Sequence, residues 1–149
     1  MAGNSVSFHR VLKSSPEKIY RAFIDPNAIA FWLPPYGFLC AVDHMDVRVG
    51  GSFKMSFSNF TTGKKQSFGG NFIDIKPNEF IMHTDEFDDP NFSGEMKTSI
   101  WIKKVLVGTE LKIVQEGIPS IIPTEMCYLG WQESLEKLAK LVEPEIPDA

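Results

Sequence analysis

The sequence predicts an α+β fold in which a strongly bent antiparallel sheet of about seven strands grips one long terminal helix. Three observations carry this expectation. From Phe38 onward, six short segments alternate apolar and polar residues with a period of two. The clusters between them are turn-forming and too short for the crossovers that parallel strands need. Towards the end of the chain the period changes, and Tyr128, Trp131, Leu135, Leu138 and Val142 follow one another in steps of three and four. A helix with that much apolar face has to bury it, and the concave side of the sheet is the natural partner.

The elements follow in order. Val6, Phe8 and Leu12 share one side of an alternating pattern with Ser7 and His9 opposite, which predicts a first strand. Ser15-Pro16-Glu17 then starts a helix: Ser15 can cap it, Pro16 suits the first helical position and Glu17 meets the positive end of the dipole. Ile19, Tyr20, Phe23 and Ile24 form its apolar stripe, and Asp25-Pro26 closes it. Asn27 is the expected cap of a second short helix through Ile29 and Phe31 to Trp32, ended by Pro34-Pro35. Strands are predicted at 38–46, 51–59, 66–75, 80–87, 96–105 and 109–115. Gly50-Gly51, Thr61-Thr62-Gly63-Lys64, Lys76-Pro77-Asn78, the acidic loop Asp88-Asp89-Pro90-Asn91 and Val107-Gly108 separate them. Residues 116–123 read as a link into the helix over 123–142, which Pro144 and Pro147 stop.

Bulk properties narrow the function. A chain of 149 residues, 43% apolar, is long enough for one domain over 1–149 with a core that needs no staples. The formal net charge is -4 and no basic cluster exceeds Lys64-Lys65 or Lys103-Lys104, so nucleic acid and anionic membranes are poor partners. Cys40 and Cys127 sit in apolar neighbourhoods and read as free thiols of a reducing compartment. Residues 1–7 show no apolar leader, and no apolar run approaches the roughly 20 residues of a membrane span. A cytoplasmic protein, monomeric or weakly dimeric, is expected.

Four motifs carry a resemblance. Ser15-Pro16-Glu17-Lys18-Ile19-Tyr20-Arg21-Ala22-Phe23, with Asp25-Pro26 and Phe31-Trp32-Leu33 after it, resembles the opening of the activator-of-Hsp90-ATPase-like family. Asp46-Val47-Arg48-Val49-Gly50-Gly51 is similar to its D-x-R-x-G-G turn. Gly70-Asn71-Phe72-Ile73-Asp74-Ile75-Lys76-Pro77 is similar to its G-x-aromatic-x-acidic-I-x-P segment, and Gly130-Trp131 to the pair that starts its last helix. Tyr20 stands where the family often has Trp. The resemblance implies the START-like, or Bet v 1-like, helix-grip fold. It leaves function open, because related domains include co-chaperone modules, resistance proteins and polyketide aromatases or cyclases. The N-terminal domain of the eukaryotic co-chaperone, implicated in stimulating the chaperone's ATPase, has no counterpart in these residues.

Phe53, Met55 and Phe57, with Phe68, Gly70 and Phe72, place large apolar groups on one face of two adjacent strands. Gly70 is expected to open space there. Ile100, Ile102, Leu111 and Ile113 fit the same inner face, with Trp101 outside. Between this face and the last helix the fold leaves room for a small apolar or aromatic molecule. Its expected contacts are Phe53, Phe57, Phe72, His83, Ile100, Leu111, Tyr128, Trp131 and Leu135, with Phe31, Trp32, Tyr36 and Arg48 at the rim. Arg48 also lies two residues from Asp46, where an ion pair shaping the glycine turn is the plainer reading. His9, His44 and His83 occur singly, without metal-ligand spacing, and no nucleophile elbow or phosphate loop is present. Neither catalytic residues nor a metal or cofactor are therefore expected. The acidic stretch 85–89 reads as a solvated loop. Two other readings stand beside ligand binding: an interaction module for an Hsp90-type chaperone, and an aromatase or cyclase-like enzyme. The enzyme would need His83, Asp85 or Glu116 to point inward.

Overall fold

The computed structural model describes residues 4–148; residues 1–3 and 149 lie outside them. The order is β1 (Asn4–Leu12), α1 (Pro16–Ile24), α2 (Pro26–Trp32), β2 (Phe38–Met45), β3 (Ser52–Asn59), β4 (Lys65–Lys76), β5 (Phe80–Phe87), β6 (Met96–Val105), β7 (Gly108–Ile118) and α3 (Thr124–Val142). A single 3-10 turn, Pro90–Phe92, interrupts the β5–β6 connection. The strands form one antiparallel sheet in the order β1-β7-β6-β5-β4-β3-β2, so α1 and α2 carry the chain from one edge to the other.

The helix starts follow from side-chain chemistry. Ser15 accepts from the Lys18 N–H at 3.2 Å and caps α1 as expected. The cap of α2 is Asp25, not Asn27: its carboxylate accepts from Asn27 N at 2.9 Å, and Pro26 takes the first helical position. A carboxylate satisfies an orphan N–H and the dipole together, which explains the one-turn economy of the α1–α2 junction.

The sidedness of the sheet agrees with the alternation. Ile100, Ile102, Leu111 and Ile113 are buried, whereas Trp101 lies 41% exposed on the outer face with the Lys112 ammonium 5.4 Å from its ring. Several strand ends differ from expectation, most of them by one residue. β7 continues through Ile118, because Asn4 of β1 pairs with it and extends the ladder. β2 stops at Met45, and Asp46 and Arg48 lie in the turn beyond it, where the Arg48 Nε donates to the Asp46 carboxylate at 2.7 Å. Gly50, at φ +85°, donates its N–H to Phe72 O, and Phe72 N donates to Gly51 O. This turn therefore fixes the strand position that carries the Phe72 ring.

Helix α3 buries Leu135, Leu138 and Val142 and packs against β1, α1 and α2. The connection after α2 is stapled to it. Ser134 donates to Leu33 O and Lys137 to Pro34 O, while Glu133 and Glu136 accept from the Tyr36 N–H and hydroxyl. At the other end Glu143 accepts from Lys13 N, and Lys18 donates to Pro144 O. Among the described residues no helix is long and apolar enough to cross a membrane.

Leu138 is fully buried and Leu129 is 54% exposed on the same helix. Leu138→Ala is expected to cost about 2–5 kcal/mol of unfolding free energy and Leu129→Ala under about 0.5 kcal/mol, read from urea denaturation midpoints. Equal losses would mean that α3 does not face the core as described.

Candidate functional site

Beneath α3 lies a cavity of about 900 Å³, within the range of small-molecule sites. Its floor is the concave face of the sheet, where Phe53, Phe72, Ile81 and Ile100 point inward. Ile29 and Trp32 of α2 and Gly130, Trp131 and Ser134 of α3 form the walls. Lys64 and Lys65, the 88–92 loop and the 121–126 link border its mouth. The aromatic groups brace each other: Phe53 lies 5.6 Å from Phe72, and Phe57 meets Phe68 edge-on at 4.9 Å. Trp32 is held by an indole N–H donated to Ala22 O at 2.8 Å.

One polar row crosses this apolar floor. Strand pairing sets His83 opposite Thr98, and Thr98 opposite Gln115. Asp85 shares the inner face of β5 with His83, two residues along. Trp131 Nε1 donates to Gln115 Oε1 at 3.0 Å, and the Cys127 thiol donates to the same oxygen at 3.3 Å. Gln115 Nε2 donates to Thr98 Oγ1 at 3.3 Å, and Thr98 Oγ1 donates to Asp85 Oδ2 at 2.5 Å. His83 Nδ1 lies 3.2 Å from Asp85 Oδ1 and 3.2 Å from Thr84 O. Every donor in the row thus leads towards the buried Asp85 carboxylate.

Burial pushes the His83 imidazole down, but the charge and hydrogen bond of Asp85, with the Thr84 carbonyl, outweigh it and raise its pKa above the ordinary value. Burial, helped by the Asp85 charge, also raises the Cys127 thiol. Burial pushes Cys40 to about 11 against the opposing charge of Lys137. Both cysteines are free thiols. At the mouth Lys54 pairs with Asp88.

The structure brings Phe53, Phe57, Phe72, His83, Ile100 and Trp131 together around the cavity. Three expected contacts are elsewhere. Leu111 and Leu135 are consumed by the packed core, and Tyr128 lies 43% exposed with its ring 4.6 Å from Phe8. Trp32 belongs to the wall instead of the rim, because α2 turns its ring inward. Tyr36 and Arg48 are held away by Glu136 and Asp46, and exposed Phe31 sits beneath the Lys137 ammonium. Gly70 does not open space: a Cβ there would lie 1.8 Å from Thr84 O, so its role is close approach of two strands. Asp85 belongs to β5 and is buried, not part of a solvated loop, and Glu116 faces out beside Lys97 at 3.6 Å. Thr98 and Gln115 join the site without belonging to any motif in the sequence. Their signal was a polar residue at an inward position in each alternating strand, Thr98 before Ile100 and Gln115 after Ile113.

A curved seven-stranded antiparallel sheet closed by a C-terminal helix, with two short helices after the first strand, defines the helix-grip, START-like class. The family model described as activator of Hsp90 ATPase homolog 1-like protein matches residues 13–143, and the chain belongs to that family. A crystal structure of a protein from Chromobacterium violaceum is 53% identical, with a TM-score of 0.94 over 95% of this chain and 99% of that one. A Rhodobacter sphaeroides protein shares the fold at 18% identity, with a TM-score of 0.81 over 94% and 95% of the two chains. An Arthrobacter aurescens protein solved in solution does so at 15%, with a TM-score of 0.80 over 95% and 90%. No curated protein matches the sequence.

Because folding raises the His83 value above about 6.5, its contribution to stability is complete below that pH and is lost as pH rises through the folded value. The urea midpoint is expected to decline over that interval in the parent chain and not in Asp85→Asn. In the same variant an NMR titration should show a lower His83 value. A His83 titration unmoved by Asp85→Asn would refute the pairing.

Proposed function

We propose that this chain is a single, non-enzymatic binding domain that encloses a small apolar or aromatic molecule between α3 and the concave sheet. The observation that carries this reading is the roughly 900 Å³ cavity, whose floor and walls are mainly aromatic and aliphatic, with one polar row across the floor, Ser134 in the wall and charged groups at the mouth. A core of ordinary packing has few voids larger than a water molecule. Phe53, Phe57, Phe72, Ile100, Trp131 and Trp32 supply the apolar wall against which the molecule's own apolar surface leaves water, worth about 25 cal/mol per Å² of that surface, and His83 orients a polar end. Leu111, Leu135 and Tyr128 support that shell from behind. Two free, half-buried thiols fit a cytoplasmic setting. A monomer or weak homodimer suffices, since the cavity is built from one chain.

The test uses the uncharged dye N-phenyl-1-naphthylamine. Saturable fluorescence enhancement is expected, with one dye per chain. Dye at a hundredfold over Kd should add about 2.7 kcal/mol of stability, a rise in Tm of roughly 5–10 °C. Cys127→Phe, which fills the cavity from α3, should weaken binding at least tenfold. No enhancement and no Tm shift with this dye or an aromatic panel would overturn the reading.

A second reading, association with an Hsp90-type chaperone, is favoured by the family match over residues 13–143. A pull-down with purified Hsp90 at micromolar concentration is its test. Retention of this chain would support it, and absence of retention would retire it.

A further inference from the structure

We infer that the molecule taken by the cavity is uncharged and carries a carbonyl-type oxygen, which accepts a hydrogen bond from His83 Nε2. The inference rests on the cavity being a ligand site, and it follows from what the polar row leaves unused. Both partners of His83 Nδ1, the Asp85 carboxylate and Thr84 O, are acceptors, so Nδ1 carries a hydrogen. Nε2 has no hydrogen-bond partner among the described residues and is not among the sealed polar atoms. The imidazole is 18% exposed, its ring is braced by Phe53 at 5.1 Å and Phe72 at 6.0 Å, and it lines the cavity. Its free nitrogen is therefore offered to an occupant.

The rest of the row fixes what that occupant brings. The Thr98 hydroxyl is spent on Asp85, and the Gln115 oxygen already receives Trp131 and Cys127. The second amide hydrogen of Gln115 and the Nε2–H of protonated His83 remain, so the floor presents donors and asks for an acceptor. An anionic acceptor is disfavoured, because the buried Asp85 carboxylate neighbours His83 and already balances its charge. The lysines that line the cavity, Lys64 and Lys65, stand at the mouth. A ketone, aldehyde or quinone oxygen leaves water at far lower cost than a carboxylate and still receives a charge-assisted bond.

The preference depends on pH through His83. Phe53 of β3, Phe72 of β4, Asp85 of β5 and the paired Thr98 of β6 surround it, and Ile100 of β6 and Cys127 of α3 line the same cavity. The charges at the mouth are Lys64, Lys65, Asp88 and Asp89. When His83 loses its proton, Nδ1 keeps its hydrogen and Nε2 becomes an acceptor, so the bond to a carbonyl disappears.

Three probes of similar shape test this by displacement of N-phenyl-1-naphthylamine: 2-acetonaphthone, 2-ethylnaphthalene and 2-naphthoate. At about pH 6 the ketone is expected to bind about tenfold more tightly than the hydrocarbon, and the carboxylate more weakly than either. The ketone-to-hydrocarbon ratio should fall towards one at a pH above the folded His83 value, which an NMR titration of the same protein supplies. The double variant His83→Leu, Asp85→Asn, which leaves no unpaired buried charge, should bring the ratio to one at both pH values. Equal ketone and hydrocarbon affinities, or a carboxylate that binds most tightly, would overturn the inference while leaving ligand binding intact. If none of the three displaces the dye, the inference is overturned as well; if the dye too fails to bind, the ligand-binding reading falls with it.

Discussion

The controlling constraint is a mismatch of area: seven strands curve into a concave face that one helix cannot cover. Leu135, Leu138 and Val142 commit α3 to the side of β1 and to the two short helices. The inward side chains of β3 to β6 are left facing a void. Collapse of α3 onto them is opposed from outside the cavity. Ser134 and Lys137 hold the carbonyls of Leu33 and Pro34, while Glu133 and Glu136 hold Tyr36. These contacts set the height of the helix above the sheet, and the cavity exists because that height is larger than the side chains can fill.

The polar row obeys a second constraint. A sealed hydroxyl, amide or carboxylate without a partner costs more than an ordinary hydrogen bond contributes, so the groups the row hides from the cavity have to be paired, and only those that face the cavity can stay open. Here Trp131 and Cys127 satisfy Gln115, Gln115 satisfies Thr98, and Thr98 and His83 satisfy Asp85. The row also ties three strands and α3 into one unit, so the floor and wall of the cavity move together.

The order of elements and the span of α3 were legible in the sequence because periodicity, proline and capping signals are local. The Ser15 cap shows this, and the shift from Asn27 to Asp25 shows its limit, since either side chain can reach the same amides. Cavity-facing positions were less legible. His83 stood out as a lone histidine on a strand, but Thr98 and Gln115 acquire meaning only through register, which two separate hairpins determine. β4 adds a bulge between Phe72 and Asp74, beside the pairing of Phe72 with His83, and no local signal announces it. Gly70 misled for a related reason: whether a missing side chain makes room or admits a neighbouring backbone depends on the strand beside it.

The three tryptophans are divided by the sheet. Trp32 and Trp131 border the interior hollow, the first sealed from water and the second tethered to Gln115, while Trp101 stands on the convex side in solvent under Lys112. The chain is thereby equipped with an intrinsic optical gauge. A molecule entering the hollow would meet two indoles whose emission and quenching it would alter, while the third would serve as a reference outside it.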